Sequence, residues 1–332
     1  MKKINLFIIF FILLIKSTYV YSSDDFESWK KNFKIYAKQQ GISTSTVNYL
    51  INNSKFLPNV IKYDRYQPEF YEDTRTYISK RTSKKKVNSG KTLYKKNNKI
   101  IKDISKKFKV DEKLLLSLMG IETNFGRYLG KMDIVSSLAT LSFDKRRSEF
   151  FTEELIILLK LVDKNIIDPK TLFGSWAGAF GNFQFMPSTI KNYAIDYNND
   201  GFIDLKNTED SFASAANYLN NLGWKDEIPC FYEINLKPDI PEQYLNTSAK
   251  KIKNTKKVLY FKKYIKDNEF LNRFNNLESA IVTPDIDIVE NANRFSPAYI
   301  VFENYKLILK WNRSLRFALA VCTLRNNFLN EL

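Results

Sequence analysis

The amino-acid sequence predicts a mainly helical α+β protein whose few strands are gathered in one segment. Three observations lead there. Apolar residues recur at helical spacing through most of the first 224 positions. Glycine is sparse, 10 in 332 residues, and only 174–188 is dense in it. Residues 225–300 change character, with frequent Pro, Asn and Lys and short β-rich runs. At 44% hydrophobic and 15% aromatic, the chain can fill a proper core, which excludes global disorder. Its length suits one large domain or two or three small ones.

The elements follow in order. Lys2 and Lys3 precede an apolar run, Ile4 to Ile15, interrupted only by Asn5, and Val20 and Ser22 occupy the −3 and −1 positions of a leader cleavage site. Residues 1–22 therefore read as an export signal. The run is too short for a comfortable membrane span, so no stable transmembrane anchor is expected; an uncleaved anchor is the alternative. No Cys follows it to carry a lipid. Phe26, Trp29, Phe33 and Tyr36 recur at helical spacing. Residues 71–108 read as two basic surface helices with a weak break near Ser89-Gly90. Leu114 to Ile121 is the most apolar stretch beyond the leader and predicts a buried helix, begun by Asp111 and Glu112, stopped by Gly126, with Glu122 at its end. In 148–163 the inward residues are Phe150, Phe151, Leu155, Leu158 and Leu159. Thr208 caps a helix to Leu222 that Gly223 ends. Val258–Phe261 and Ala280–Thr283 read as strands, and a last helix starts near Ser314. No repeat at solenoid periods is present.

Composition narrows the chemistry. There is no histidine, which excludes Ser-His-Asp and Cys-His catalysis and His-ligated zinc. Acid–base work falls to Asp, Glu, Lys, Tyr or Cys. Lys and Arg number 52 against 36 Asp and Glu, a net +16. Losing residues 1–22 removes three lysines and no acid, leaving +13. Such a charge favours polyanionic partners, or reflects a Lys- and Asn-rich composition. No nucleic-acid motif is present, so nucleic acid is not an expected partner. Cys230 and Cys322 are the only cysteines, and pairing and two buried thiols both remain open.

Four features could carry chemistry. Glu122, a carboxyl at the tip of an apolar helix, is expected to be partly desolvated, which raises a carboxyl pKa and suits a general acid. Gly174–Pro187 brings Ser175, Asn182 and Gln184 as hydrogen-bonding groups beside Trp176, Phe183 and Phe185 as flat faces. Polar edges with apolar faces are what a sugar site needs. Asp196, Asn198, Asp200, Gly201 and Phe202 match the first part of an EF-hand calcium loop. Asn207 stands where that loop has its bidentate Glu, and Asp210 is the expected substitute. Arg146 and Arg147 are a solvated basic pair, or a carboxylate-binding pair if the ligand carries carboxylates.

These pieces, in this order, resemble the lytic murein transglycosylase B family. The resemblance rests on Gly120-Ile-Glu-Thr-Asn-Phe-Gly126, Leu138–Phe143, Gly174–Pro187, the calcium-like loop, Ala216-Asn-Tyr-Leu219 before Gly223-Trp224, and Trp311-Asn-Arg-Ser314. It is dense from about residue 66 to 224 and from 299 to 322. It implies a lysozyme-like core at 99–224 with an N-terminal helical region at 23–98, a small strand-containing subdomain at 225–298, and a C-terminal helix at 299–332 returning to the core. Glu122 falls at the family's catalytic acid. Tyr77, Arg146, Arg147, Ser175, Gln184, Tyr218, Trp311 and Asn312 fall at cleft positions, with Trp311 where a Tyr is common. Asp196, Asn198, Asp200, Phe202 and Asp210 fall at a structural calcium site that the chemistry does not require. The implied activity is cleavage of peptidoglycan glycan strands in the periplasm, with closure of a 1,6-anhydro ring by a single Glu. A hydrolytic muramidase, or a wall-binding scaffold without turnover, are the competing expectations.

Overall fold

A computed structural model describes residues 23–66, 72–286 and 288–332. The expected leader lies outside these residues. Among them, no helix is long and apolar enough to cross a membrane.

Helix α1 (Ser23–Gln39) is followed by α2 (Thr44–Asn53), α3 (Pro58–Arg65), α4 (Thr74–Arg81) and α5 (Lys84–Phe108). The aromatic row of α1 stacks along itself, Phe26 on Trp29 at 5.4 Å and Trp29 on Phe33 at 5.0 Å. The break expected near Ser89-Gly90 falls instead at residues 82–83, between α4 and α5, and a kink sits at Asn97. Gly90 is small for packing: a Cβ there would meet the Phe328 ring at 2.3 Å and the Phe125 ring at 2.9 Å. A glycine at a crowded contact reads the same in sequence as a helix breaker.

Helix α6 (Glu112–Thr123) is the expected buried helix, with every residue from Leu114 to Gly120 buried. Burying a Leu side chain contributes about 1.5–3 kcal/mol, so this segment anchors the core. Asp111 caps it by accepting the Lys113 N–H at 2.8 Å. It ends two residues earlier than Gly126, at Asn124, where Asn124, Phe125 and Gly126 are all left-handed (φ 50°, 60° and 78°). Three such residues in a row turn the chain sharply away just beyond Glu122.

Strand β1 (Met132–Asp133), α7 (Ile134–Phe143), α8 (Ser148–Asp163), β2 (Phe173–Gly174), α9 (Pro187–Tyr193) and α10 (Thr208–Leu222) complete this half. β1 and β2 form a short antiparallel ribbon, Met132 opposite Gly174. In α8, Phe151, Leu155, Leu158 and Leu159 are buried as expected, but Phe150 is 44% exposed. The buried face of α8 is wide enough to take in neighbours such as Leu158 and Leu159, and Phe150, one 100° step behind Phe151, falls just outside its edge. The cap of α10 is Asn207, one residue before Thr208, and it accepts the Asp210 N–H at 2.9 Å. Gly223 closes α10 in the left-handed region.

The remaining strands form one sheet: β3 (Phe231–Leu236), β4 (Leu245–Asn246), β5 (Lys256–Lys257), β6 (Ile265–Lys266), β7 (Glu278–Val282) and β8 (Ala298–Val301). Their order is β4-β7-β8-β3-β6, with β5 also on β7. Only β4–β7 is parallel, and Phe231 faces Val301 across β3–β8. Val258–Phe261, expected as a strand, is a single helical turn, α11. Val258 and Phe261, three residues apart, are fully buried while Leu259 is 60% exposed, which is helical rather than alternating spacing. The sheet covers its own small core of Phe261, Leu271, Ile281 and Ile300.

β8 runs into α12 (Glu303–Trp311), and α13 (Leu315–Leu329), capped by Ser314, returns to pack on α6 and α4. Cys230, just before β3, forms a disulfide with Cys322 in α13. This closes the question that composition left open. The bridge spans 92 residues and ties the sheet to the returning helix, a loop closure of the kind worth about 2–4 kcal/mol.

Candidate active site

Glu122 lies in the last turn of α6 and is partly exposed. Its carboxylate oxygen Oε1 accepts the indole N–H of Trp311 at 3.0 Å. Trp311 is the last residue of α12, 189 positions away in sequence. Its ring stacks on Tyr218 of α10 at 5.1 Å and meets the edge of Phe185 at 5.3 Å. Tyr218 stacks in turn on Tyr193 at 4.4 Å, and its hydroxyl donates to the Lys310 carbonyl at 3.3 Å. Burial pushes the Tyr218 phenol above its ordinary value, so it stays neutral. Three helices thus converge on one carboxyl, and the aromatic stack fixes the donor that orients it. Asn312, just beyond Trp311, is partly exposed at the same corner.

The glycine-dense loop faces this corner through its aromatic residues. Phe183 and Phe185 are buried, so they are not open faces for a sugar; they support Trp311. Trp176 stays partly exposed. Asn182 is likewise buried, and its side-chain amide donates to the Lys206 carbonyl and to Ser211 Oγ, both at 3.0 Å. Its role is to clamp the loop, since its carbonyl accepts Thr123 Oγ1 at 2.9 Å, next to Glu122. Ser175 closes its own turn, Oγ accepting the Ala179 N–H at 3.1 Å, and remains partly exposed. Gln184 adopts φ 50°, and its amide donates to the carbonyls of Gly181 at 3.0 Å and Leu129 at 3.3 Å. Gly130 makes close passage possible there: a Cβ on it would lie 2.0 Å from the Gly174 carbonyl oxygen.

The other expected cleft residues have partners of their own. Tyr77 is only 2% exposed, with the Arg81 guanidinium 3.5 Å over its ring. Arg146 Nε donates to Asp64 at 2.6 Å, and Arg147 pairs with the other oxygen of the same carboxylate. Asp64 is buried, so this half-exposed pair first serves to satisfy a buried charge. Sequence reasoning missed Lys86, whose ammonium donates to the Gly120 carbonyl at 2.7 Å, two residues before Glu122. Burial, then the nearby Arg81, lower its pKa. Nothing in the run Lys84-Lys-Lys86 distinguishes it.

Other buried carboxylates carry structural duties. Glu154 accepts the Ser188 N–H at 2.8 Å and its hydroxyl at 2.6 Å, capping α9. Asp111 is held by Arg325, and Asp285 by Arg316 and Thr74.

Residues 196–204 form a tight turn closed by their own side chains. Gly201 is left-handed, and its N–H reaches Asp196 at 2.9 Å; the Asp200 N–H reaches Asn198 Oδ1 at 3.1 Å. Phe202 is exposed with its N–H on Asp200. The loop's donors are all oxygen, the kind calcium takes. Asp210, however, is fully buried and both its oxygens accept backbone N–H groups, from Tyr197 at 2.8 Å and Asp204 at 2.9 Å. Among the described residues, no three acidic side chains converge as a ready metal cluster. The donors suit the ion in kind, but this conformation does not gather them around one.

The family described as the transglycosylase SLT domain matches residues 25–326. Membrane-bound lytic murein transglycosylase B of Escherichia coli (strain K12) is 44% identical over 116 residues, 35% of this chain and 32% of that protein. The chain thus matches about a third of the length of that relative. SltB3 from Pseudomonas aeruginosa, solved in complex with NAG-NAM-pentapeptide, superposes with a TM-score of 0.80 at 28% identity, over 92% of this chain and 79% of that one. The Escherichia coli lytic transglycosylase Slt35, solved in complex with calcium, gives 0.74 at 23% identity over 93% and 94%, a likeness of fold. The mainly helical α+β architecture is therefore that of lysozyme-like lytic transglycosylases. By the extent of the family match, which leaves out only the two ends, this chain belongs to the transglycosylase SLT domain family.

Proposed function

We propose that this protein is a lytic transglycosylase that cleaves the β-1,4 bond between N-acetylmuramic acid and N-acetylglucosamine in peptidoglycan. The observation that carries the proposal is the single carboxyl of Glu122, oriented by the Trp311 indole at the meeting of three helices. Lysozyme-type hydrolysis ordinarily uses two carboxyls. Here Glu154, Asp111 and Asp285 are buried in structural roles, which favours a mechanism with one.

In that mechanism Glu122 gives its proton to the glycosidic oxygen as the bond to the muramyl C1 breaks. The muramyl 2-acetamido group supports the cation, with Ser175 the candidate to hold it. Glu122, now a carboxylate, takes the proton of the 6-hydroxyl, whose oxygen closes the 1,6-anhydro ring. No water is consumed. Gln184, Tyr218, Trp311 and Asn312 would line the sugar path. Arg146 and Arg147 would meet it only while still paired with Asp64, and Tyr77 would act from beneath Arg81. A structural calcium ion, if bound, would take Asp196, Asn198, Asp200, the Phe202 carbonyl and Asp210, and no chemical step depends on it. The same reading divides the chain at 98, 224 and 298 into an N-terminal helical region, a catalytic core, a sheet subdomain and a C-terminal part, although 98 falls inside α5 and 298 at the first residue of β8, so whole elements would move both boundaries. The disulfide and the leader-like start favour an exported, periplasmic protein.

The test is a digest of purified peptidoglycan read by mass spectrometry. Disaccharide-peptides one water lighter than hydrolysis products support the proposal. Products of full hydrolytic mass point to a muramidase, and wall binding without turnover to a scaffold.

A further inference from the structure

Beside the proposed active site is a pocket of about 310 Å³ whose rim is almost wholly cationic. Lys306 and Lys310 stand one turn apart on α12, and Arg313 follows its end. Lys250 and Lys251 close the pocket from the sheet subdomain, and Ala249, Ile252 and Leu309 form its apolar floor. Of the five cations, only Lys306 has an ion-pair partner among the described residues, Glu303 at 2.9 Å. The loop that brings Lys250 and Lys251 here is braced. Asn246 is buried, accepts the Lys253 N–H at 2.7 Å and donates to the Ile281 carbonyl at 2.9 Å. Lys310 and Arg313 could serve the C-terminal end of α12 alone. That duty leaves Lys250 and Lys251 unexplained, since they come from another element and add like charge at the same opening. Gathering them costs free energy unless an anion sits there.

We propose that this pocket binds the carboxylates of the peptide stem carried by the glycan strand, and so selects peptide-bearing over peptide-free strands. This rests on the transglycosylase reading for its source of ligand. The placement fits. Trp311, which holds Glu122, lies between Lys310 and Arg313 in the chain, and the Lys310 carbonyl anchors Tyr218 of the same stack. A strand seated on Glu122 would therefore bring its stem past the end of α12.

The experiment titrates the full chain calorimetrically with a soluble pentapeptide stem, wild type against Lys250→Ser/Lys251→Ser/Arg313→Ser. Three screened ion pairs worth about a factor of two each give an expected loss of about tenfold in affinity. Lys250→Arg/Lys251→Arg should bind as wild type does, and melting temperatures report that each variant folds. In turnover, the ratio of KM on peptide-free to KM on peptide-bearing strands should fall by a similar factor in the triple variant. Peptide binding that the triple variant loses supports the pocket even if no strand is cleaved, in which case the transglycosylase reading fails alone. Equal binding by wild type and variant, or no saturable binding, overturns the pocket. Binding of inorganic pyrophosphate but not of the peptide also overturns it.

Discussion

Replacing Trp311 by Phe removes the donor to Glu122 while keeping a ring in the stack. The lost bond is the 3.0 Å contact from the indole nitrogen to Oε1. A hydrogen bond contributes about 0.5–1.5 kcal/mol to a neutral carboxyl and about 1.5–3 kcal/mol to a carboxylate, and because Glu122 passes between the two forms in the reaction the shared figure of about 1.5 kcal/mol applies. If the bond serves to hold the carboxyl ready for proton transfer, about 1.5 kcal/mol appears as roughly a tenfold fall in kcat with KM little changed. The phenyl ring keeps contact with Tyr218 and Phe185, now 5.1 and 5.3 Å from the indole centroid, so stability should drop by only about 1 kcal/mol. Trp311→Tyr keeps both a ring and a donor and should recover most of the rate. Trp311→Ala removes ring and donor together and should cost more on both counts. The assay is the initial rate of soluble product release at saturating strand concentration, with a thermal melt of each variant. A Phe variant at wild-type kcat, or Phe and Tyr variants equally slow, would refute the orienting role of the indole.

Three further outcomes follow from the geometry. Arg146→Ala/Arg147→Ala leaves the buried Asp64 carboxylate without either guanidinium and should destabilise the protein by about 2 kcal/mol; an unchanged melting temperature contradicts that structural role. Burial pushes the Glu154 carboxyl above its ordinary value, against the two hydrogen bonds from Ser188. Its folded pKa therefore exceeds its unfolded one, so its contribution is fully present below the ordinary carboxylate value of about 4.5 and is lost as pH rises through the folded value. Melting curves from about pH 4 to about pH 7 should show Glu154→Gln gaining on wild type as pH rises, and parallel curves would count against it. Calcium at about one hundred times its dissociation constant should add about 2.7 kcal/mol over chelator, a few degrees of melting temperature, and Asp200→Asn should remove the gain. A melting temperature indifferent to calcium contradicts a bound structural ion.

Periodicity and caps were enough to place most of the helical half. Leu114–Ile121 announces a buried helix because only the small Ser117 interrupts its apolar run, and Glu122 stands out as the first carboxyl beyond it. Ser314 and Gly223 mark helix ends by local chemistry alone, so they could be read one residue at a time. What sequence hid was mostly the work of distant partners. The rings of Phe183 and Phe185 look like open faces until Trp311 covers them from 126 or more positions away. Asn182 looks like a ligand group until Ser211 and Lys206 take its amide. Arg146 and Arg147 look solvated because nothing near them in the chain hints at Asp64. The Cys230–Cys322 bridge depends on α13 returning to the sheet, which their separation does not disclose. Val258–Phe261 failed for a local reason: four apolar residues fit one helical turn as well as a short strand, and only the burial of the first and fourth decides.

The most direct measurement of the central claim is Glu122→Gln, assayed on purified peptidoglycan beside the wild type. The side chain keeps its size and can still accept from Trp311, but it can neither give nor take the catalytic proton. Wild type should release anhydro-disaccharide-peptides, and the variant should bind the wall and release none. Anhydro products from the folded variant would contradict the assignment of Glu122 and send the search for the acid elsewhere in the cleft.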